Sequence, residues 1–446
     1  MSISPARRVT FHDVFTVPEF RALWASYILS AAGDRLALVA LTLFVYDRTR
    51  SPLLAAIAFA AGTLPYVIGA LFLSAMADRF PRREVMVTCD VIRAVLVGAM
   101  LLPRMPLVAL IVLLYAVTSV QPPFDAARSA ILRDVVEGER YALAVAVLQT
   151  TFRVMIVAGT AAGGVVVAFL GARPALGVDA ATFVVSAVLL RVGVRARPAA
   201  AASGSRSSRN ALLQLGAGAR VVFGDRALRT LVLFGWLAAF YEIPAGLAAP
   251  YAARLGGGPV AAGLLIAGSQ LGAAVATPLF TKRIGPLTRL RWMGPMATCT
   301  CGVLLLIALR PGLVVSIAIL ALSSAFGMYQ IAANTAFVER LPNERRAQAF
   351  GLASAGLVMG QGLAFLVAGA AAEVVPPSTV IALGGGLGAV AACGLSVRWR
   401  DMSPAVGRHS ARHLGRQASP VGPQSPVAVP RASLSGQSPV HAARSR

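Results

Sequence analysis

Two acidic residues stand inside long apolar runs, where an ionisable group is costly and can move protons. Asp34 lies in the first run, and Glu242 lies in the run over 228–250. A charged side chain at the bilayer centre costs about 2.5–3.5 kcal/mol on insertion scales, so it persists when it faces a cavity or a partner. Burial favours the uncharged form of a carboxyl group. We predict proton coupling for both acids; alternatively, Asp34 and its neighbour Arg35 only pair with polar groups and fix helix packing.

Other ionisable and polar side chains interrupt the apolar runs. Asp90 and Arg93 are one helical turn apart, and we predict that they pair locally. Arg153 either extends its guanidinium to the lipid headgroups or meets an acid. All four histidines lie outside the runs, so carboxylates must carry any coupled protons. Polar side chains that either line a substrate cavity or join helices by hydrogen bonds are Tyr241, Gln149, Gln330 and Gln361.

The composition shows which elements must hold these residues. Of the 446 residues, 57% are hydrophobic and 13% are charged, whereas a soluble protein carries about 25% charged residues. A bilayer core needs about 20 apolar helical residues per crossing. The chain has many runs of that length, and they predict an all-α polytopic membrane protein with twelve transmembrane helices in two pseudo-symmetric six-helix bundles.

The order of the runs divides the chain into parts. An Ala-, Ser-, Gly- and Arg-rich segment separates two sets of six runs and has the composition of a flexible linker. The stretch 126–140 aligns with 332–346, and repeated halves are typical of transporters. A charged segment, 122–141, is expected to join the fourth and fifth spans. The predicted parts are an N-terminal bundle (1–190), a cytoplasmic linker (191–227), a C-terminal bundle (228–398) and a disordered basic cytoplasmic tail (399–446).

The net charge of +23 does not indicate nucleic-acid binding, because the arginines cluster in alternate loops and in the tail. This is the positive-inside pattern, and it places both termini in the cytoplasm of a multi-pass cell-membrane protein. No phosphate-binding Walker sequence, catalytic triad or paired cysteine motif is present. We therefore expect no enzymatic activity, no cofactor and no metal, and we expect a monomer.

A block of charge follows the second run and forms a hairpin before the third. We predict that it is a conformational latch, in which Asp78 meets the positive N-terminal end of a helix from the other half, near residue 347. The arginines would engage Asp134, Glu137 or Glu139. Alternatively, the basic residues only keep the loop inside the cell. The predicted latch residues are Asp78, Arg79, Arg82 and Arg83.

The hairpin resembles the motif of the major facilitator superfamily, since Ala77 and the four latch residues all match it. Ser74, Met76 and Pro81 depart from the motif. Four local matches resemble the macrolide and siderophore exporters of that superfamily: Ser30-x-x-Gly33-Asp34, Leu64-Pro65, Ala126-Ala-Arg-Ser-Ala130 and Asp179-Ala-Ala-Thr-Phe183. The resemblance implies that the first helix of each half lines a central cavity, so both coupling acids would face it.

These features together predict a secondary transporter that works by alternating access, with its substrate near the midplane between the halves. The expected function is proton-coupled efflux of a small amphipathic drug or natural product, as an antiporter of the multidrug-resistance type. The expected partners are that small molecule, protons and the lipid bilayer. Uptake, lipid flipping and a non-transporting membrane receptor are the alternatives.

Overall fold

The computed structural model describes residues 10–72, 79–197 and 208–417. The described part of the chain is helical and contains no strand. The described residues up to Asp401 form one compact unit, and the described residues from Met402 onward belong to a second. The first unit contains the membrane spans.

Twelve helical segments, numbered here as spans 1 to 12, are long enough to cross a bilayer. Eleven also have the apolar composition of a membrane span; span 3 falls short because it carries Asp90, Arg93 and a charged N-terminal turn. This architecture confirms the predicted fold class. In order, the spans are Pro18–Thr49, Pro52–Ala70, Arg82–Met100, Leu107–Val135, Glu139–Leu170, Ala172–Gly193, Arg226–Gly246, Pro259–Arg283, Leu287–Leu309, Leu313–Arg340, Arg345–Ala372 and Pro377–Asp401.

Three shorter helices lie outside the spans. Within the described residues, they are Phe11–Phe15 before span 1, Ser208–Gly224 before span 7 and Ala248–Arg254 after it. We call the membrane face at which span 1 begins the N-terminal face, and the face at which it ends the distal face.

Span 4 differs from the expectation, because its helix does not end near Gln121. After a turn at Val120 it continues as the helix Gln121–Val135, so the predicted connecting segment 122–141 is wrong over most of its length. Pro122 and Pro123 occupy the first helical turn, where no intrahelical N–H donor is needed. Span 10 repeats this arrangement with the helices Leu313–Phe326 and Tyr329–Arg340.

The last helix also continues beyond the predicted boundary. It runs over Pro377–Gln417, whereas the tail was expected to begin at residue 399. Trp399 is buried, with 4% of its surface exposed. Residues 418–446 of the predicted tail lie outside the described residues.

The two halves meet where glycines let helix backbones approach closely. A Cβ atom at Gly164 of span 5 would lie 2.6 Å from the Pro259 carbonyl oxygen and 3.0 Å from Gly263 Cα in span 8. In span 11, a Cβ atom at Gly369 would lie 2.6 Å from Ala56 Cβ in span 2. Spans 5 and 11 occupy equivalent places in the aligned halves, so the interface is pseudo-symmetric. Small residues are the usual means of such packing in membranes.

We predict that Gly164→Ala destabilises the folded protein by about 1–3 kcal/mol, the usual cost of overpacking. The matched control is Gly98→Ala in span 3, where an added Cβ atom would meet nothing within 4 Å. Both substitutions give the same gain in helix propensity. Thermal unfolding in detergent measures the difference, and equal midpoints for the two variants would contradict this packing.

Candidate transport site

A buried ionic cluster lies inside the N-terminal bundle, and Arg93 of span 3 is at its centre. Arg93 has 1% of its surface exposed, and its Nη2 donates to Asp90 Oδ1. Its Nη1 lies 3.7 Å from Asp34 Oδ2 in span 1. Ser186 of span 6 donates to Asp90 Oδ2 at 2.6 Å. The cluster therefore joins spans 1, 3 and 6 and includes one of the predicted coupling acids.

Two aromatic rings enclose the same guanidinium. Arg93 Cζ lies 4.5 Å from the ring centroid of Phe183 and 4.7 Å from that of Phe124. Both distances are within the range of a cation–π interaction, which contributes about 2 kcal/mol or more when water is excluded. The carboxylates neutralise the charge of Arg93, and the rings shield it from water and lipid.

Asp179 of span 6 is a third acid at this site, and sequence reasoning did not assign it a role. It is 1% exposed, and neither of its carboxyl oxygens has a hydrogen-bond partner among the described residues. A Cβ atom at Gly33 of span 1 would lie 2.3 Å from Asp179 Oδ1, so only glycine leaves room for this carboxyl group. A cavity of about 30 Å³ is lined by both Asp34 and Asp179.

A second polar group lies beside the cluster, in the part of span 4 that was expected to be a connecting segment. Arg128 Nη2 lies 3.0 Å from Asp125 Oδ1, and the Arg128 guanidinium lies 3.9 Å from the centroid of the Tyr27 ring. Tyr66 of span 2 donates to Asp125 Oδ2 at 3.4 Å. Sequence reasoning missed these contacts because it placed these residues in a segment between the fourth and fifth spans.

Glu242 lies at an interruption of span 7. The helix breaks between Ala238–Tyr241 and Ile243–Gly246, and Glu242 is the residue between the two pieces. Pro244 contributes to the break because it has no N–H group to donate. Gln270 of span 8 donates to Glu242 Oε2 at 3.4 Å. The interruption is slight, because Glu242 keeps helical dihedral angles and its N–H donates to the Ala238 carbonyl oxygen at 3.0 Å.

The four predicted cavity residues lie in different environments. Gln330 of span 10 donates to the Tyr241 hydroxyl and, at 3.4 Å, to the Gly235 carbonyl oxygen. Gln330 also lines a cavity of about 220 Å³ between spans 7, 10 and 11. Gln149 is exposed on span 5, and Gln361 is half-buried on span 11. The structure therefore brings together only Tyr241 and Gln330.

Arg153 lies apart from the ionic cluster. Its side chain is exposed on span 5, and no carboxylate of the described residues lies within 4 Å of its nitrogens. The expectation of an acidic partner for Arg153 is therefore not met, because the side chain is on the outer face of the bundle.

The hairpin is described only in part. Asp78 lies outside the described residues, and Arg79 is exposed. Arg82 Nη1 lies 2.6 Å from Asp134 Oδ2, at the end of span 4. Arg83 contacts Glu84 at 2.7 Å and donates to the Val194 carbonyl oxygen at 3.3 Å. Both arginines thus bind groups of the N-terminal half.

On the distal face, one carboxylate joins the two halves. Glu373, at the end of span 11, accepts hydrogen bonds from Ser51 Oγ and from the Leu53 backbone N–H, the latter at 3.0 Å. Ser51 is also the N-cap of span 2, where its hydroxyl accepts from Leu54 N. A carboxylate is favoured at a helix N-terminus by the unpaired N–H groups and the helix dipole. Below it, the Phe59 and Phe365 rings meet edge to face across the interface, with centroids 5.2 Å apart.

Comparison with known proteins agrees with this architecture. The model of the Major Facilitator Superfamily matches residues 23–353 and again residues 246–435. The chain belongs to the Major Facilitator Superfamily. Within the described residues, no group of three or more histidine, cysteine, aspartate or glutamate side chains is placed to hold a metal ion.

Individual relatives are more distant. An uncharacterized transporter of this type from Bacillus subtilis, YkuC, is 29% identical over 184 residues, which are 40% of this chain and 42% of YkuC. The chain thus matches less than half the length of that curated relative. A mutant of the nucleoside transporter NupG superposes with a TM-score of 0.66 at 15% identity, covering 85% of this chain and 99% of NupG. A bacterial homologue of the iron transporter ferroportin gives 0.64 at 15%, covering 86% and 98%.

We predict that Arg93→Met destabilises the protein by about 3–5 kcal/mol, because it leaves Asp90 charged and buried without its partner. The double variant Asp90→Asn/Arg93→Met should recover part of that loss, whereas the exposed control Arg153→Met should unfold like the wild type. Unfolding midpoints in detergent test this. Equal loss in the single and double variants would show that the pairing does not determine the effect.

We predict that Glu373→Gln weakens the contact between span 11 and span 2 by about 1 kcal/mol, the net value of a typical hydrogen bond. The open state of the distal face should then be about fivefold more populated, since 1 kcal/mol corresponds to about that factor. A cysteine-free protein carrying Ala56→Cys reports opening, because residue 56 is fully buried beneath this contact. Its maleimide labelling rate should rise in the Glu373→Gln background. It should stay constant with Glu339→Gln, an exposed acid of span 10; an equal response to both would reject the assigned role.

Proposed function

We propose that this protein is a secondary active transporter that exports a small amphipathic molecule in exchange for protons. The observation that carries the proposal is the placement of one acid in the first span of each half. Asp34 joins the ionic cluster of spans 1, 3 and 6, and Glu242 occupies the interruption of span 7. Both can exchange protons once the surrounding helices admit water.

The architecture supports alternating access. Residues of the N-terminal half are bound to one another by buried ion pairs, whereas the halves meet through close glycine contacts and the Glu373 hydrogen bonds. Each half can therefore move as a body about the span 5–8 and span 2–11 contacts. We propose that the two bundles are 1–190 and 228–398 and that the substrate enters between them.

We further propose that the N-terminal face is cytoplasmic. Arg82, Arg83 and Arg191 lie at this face, as the positive-inside rule requires of a cytoplasmic surface. The Glu373 contact would then close the extracellular side. Asp78 is the proposed counterpart of Glu373 on the cytoplasmic side, meeting the N-terminal end of span 11 when that side closes.

Uptake is the second candidate. Structures similar in fold include peptide transporters, one of them bound to alafosfalin, with a TM-score of 0.65 at 13% identity over 90% of this chain and 99% of that one. The ionic cluster is compatible with proton-driven transport of a substrate either into or out of the cell. The direction of flux distinguishes the two candidates.

We predict that cells producing the protein accumulate less ethidium than control cells and that a protonophore removes the difference. Asp34→Asn and Glu242→Gln should each abolish the proton-driven flux at unchanged membrane levels. Asp47→Asn is the matched control, because Asp47 is an exposed acid at the other end of span 1.

Ethidium is one probe of a panel of amphipathic cationic and neutral dyes. Higher accumulation in producing cells would favour uptake. Unchanged flux in both acid variants would reject proton coupling through these residues.

A further inference from the structure

Asp179 is a third buried carboxyl group of the N-terminal bundle, and its oxygens have no hydrogen-bond partner among the described residues. The charged groups nearest to Asp179 are Asp34 and Arg35 of span 1, which line the same cavity, and Arg93 of span 3. Arg93 Nη2 lies 2.5 Å from Asp90 and Arg93 Nη1 lies 3.7 Å from Asp34, while the buried Nε has no hydrogen-bond partner among the described residues. The Arg35 guanidinium lies 6.0 Å from the centroid of the Phe152 ring, on the side of span 5. Neither cation contacts Asp179 within 4 Å.

No neutral side chain of the described residues has hydrogen-bond geometry to the Asp179 carboxyl oxygens. The Thr182 hydroxyl, the nearest donor on the same helix, donates to the backbone carbonyl oxygen of Asp179 at 2.7 Å. Gly33 presents only its Cα atom to the carboxyl group. An ionised carboxylate buried without a cation or hydrogen-bond donor costs several kcal/mol or more, and in practice such a group takes up a proton.

A route for that proton exists. The cavity lined by Asp34 and Asp179 has a volume of about 30 Å³, which is enough for one water molecule. Thr118 and Gln121 of span 4 are also in its wall and can hydrogen-bond such a water molecule. A proton can pass between the two carboxyl groups through it.

We propose that Asp179 holds a proton as a neutral carboxylic acid and exchanges it with Asp34 through the cavity they share. In the exchange, the O–H bond of Asp179 breaks, its proton passes to the intervening water, and a proton of that water forms an O–H bond on Asp34. The reverse transfer restores the first state. Asp179 is thus the proton store of the N-terminal half: Asp34, beside Arg93, carries the negative charge before the transfer, and Asp179 carries it transiently until the reverse transfer. The coupling role of this exchange rests on the proposed proton-driven transport, but the protonated state does not.

Infrared difference spectroscopy on the full chain in lipid nanodiscs tests the protonated state without a substrate. The wild type should show the carbonyl stretch of a protonated carboxyl group at neutral pH, and Asp179→Asn should remove one such band. Asp47→Asn, which changes an exposed acid of span 1, should leave the band intact. Persistence of every band in Asp179→Asn would overturn the proposal.

Asp34→Asn provides a second test that does not require the Asp179 variant to fold. If the two groups share a water molecule, the Asp179 band should remain and shift in frequency. An unshifted band would refute the exchange. Because these readings do not involve flux, failure of the proposed efflux function would leave them unchanged and would appear only in the dye measurements.

Discussion

The packing of the N-terminal half depends on one constraint: the positive charge of a buried guanidinium must be balanced by carboxylates. Arg93 is almost fully buried, and its guanidinium forms a hydrogen-bonded ion pair with Asp90 and lies 3.7 Å from Asp34. The desolvation of such a charge is offset only when the ion-pair geometry is good; here Nη1 and Nη2 face carboxylates, and the buried Nε has no hydrogen-bond partner among the described residues. Three spans, 1, 3 and 6, must therefore keep their mutual positions, and the rings of Phe124 and Phe183 keep water away.

The interface between the halves is built differently. Its close contacts are made by glycines such as Gly164 and Gly369, and its hydrogen bonds converge on the carboxylate of Glu373 at the distal end. Contacts of this kind favour two stable bodies that can separate at one face while staying in contact at the other. A buried ionic network inside one half and glycine-mediated contacts between the halves are the features on which the proposed alternating access rests.

The sequence was sufficient for features that depend on neighbouring residues. The apolar runs predicted the spans, and the spacing of Asp90 and Arg93 predicted a local pair of the kind that the structure contains. It was insufficient where distant residues meet. Asp179 lies in an apolar run like Asp34, but its lack of a partner depends on how spans 1, 3 and 6 pack. Asp125 and Arg128 were assigned to a charged, helix-permissive segment joining the fourth and fifth spans, because charge density alone does not show that these side chains pair with each other. Glu373 was assigned no role, because its contacts with Ser51 and Leu53 join residues more than 300 positions apart in the chain.

The central claim is that the two halves alternate between arrangements that open opposite faces. Pulsed electron–electron double resonance, which measures the distance between two spin labels, tests it most directly. The labels replace Asp47 and Val374, which are exposed residues at the distal ends of spans 1 and 11. The account predicts two distance populations in nanodiscs, with the longer one enriched when Glu373 is changed to glutamine. A single unchanged distance in the wild type and in that variant, at every pH where the protein is folded, would contradict it.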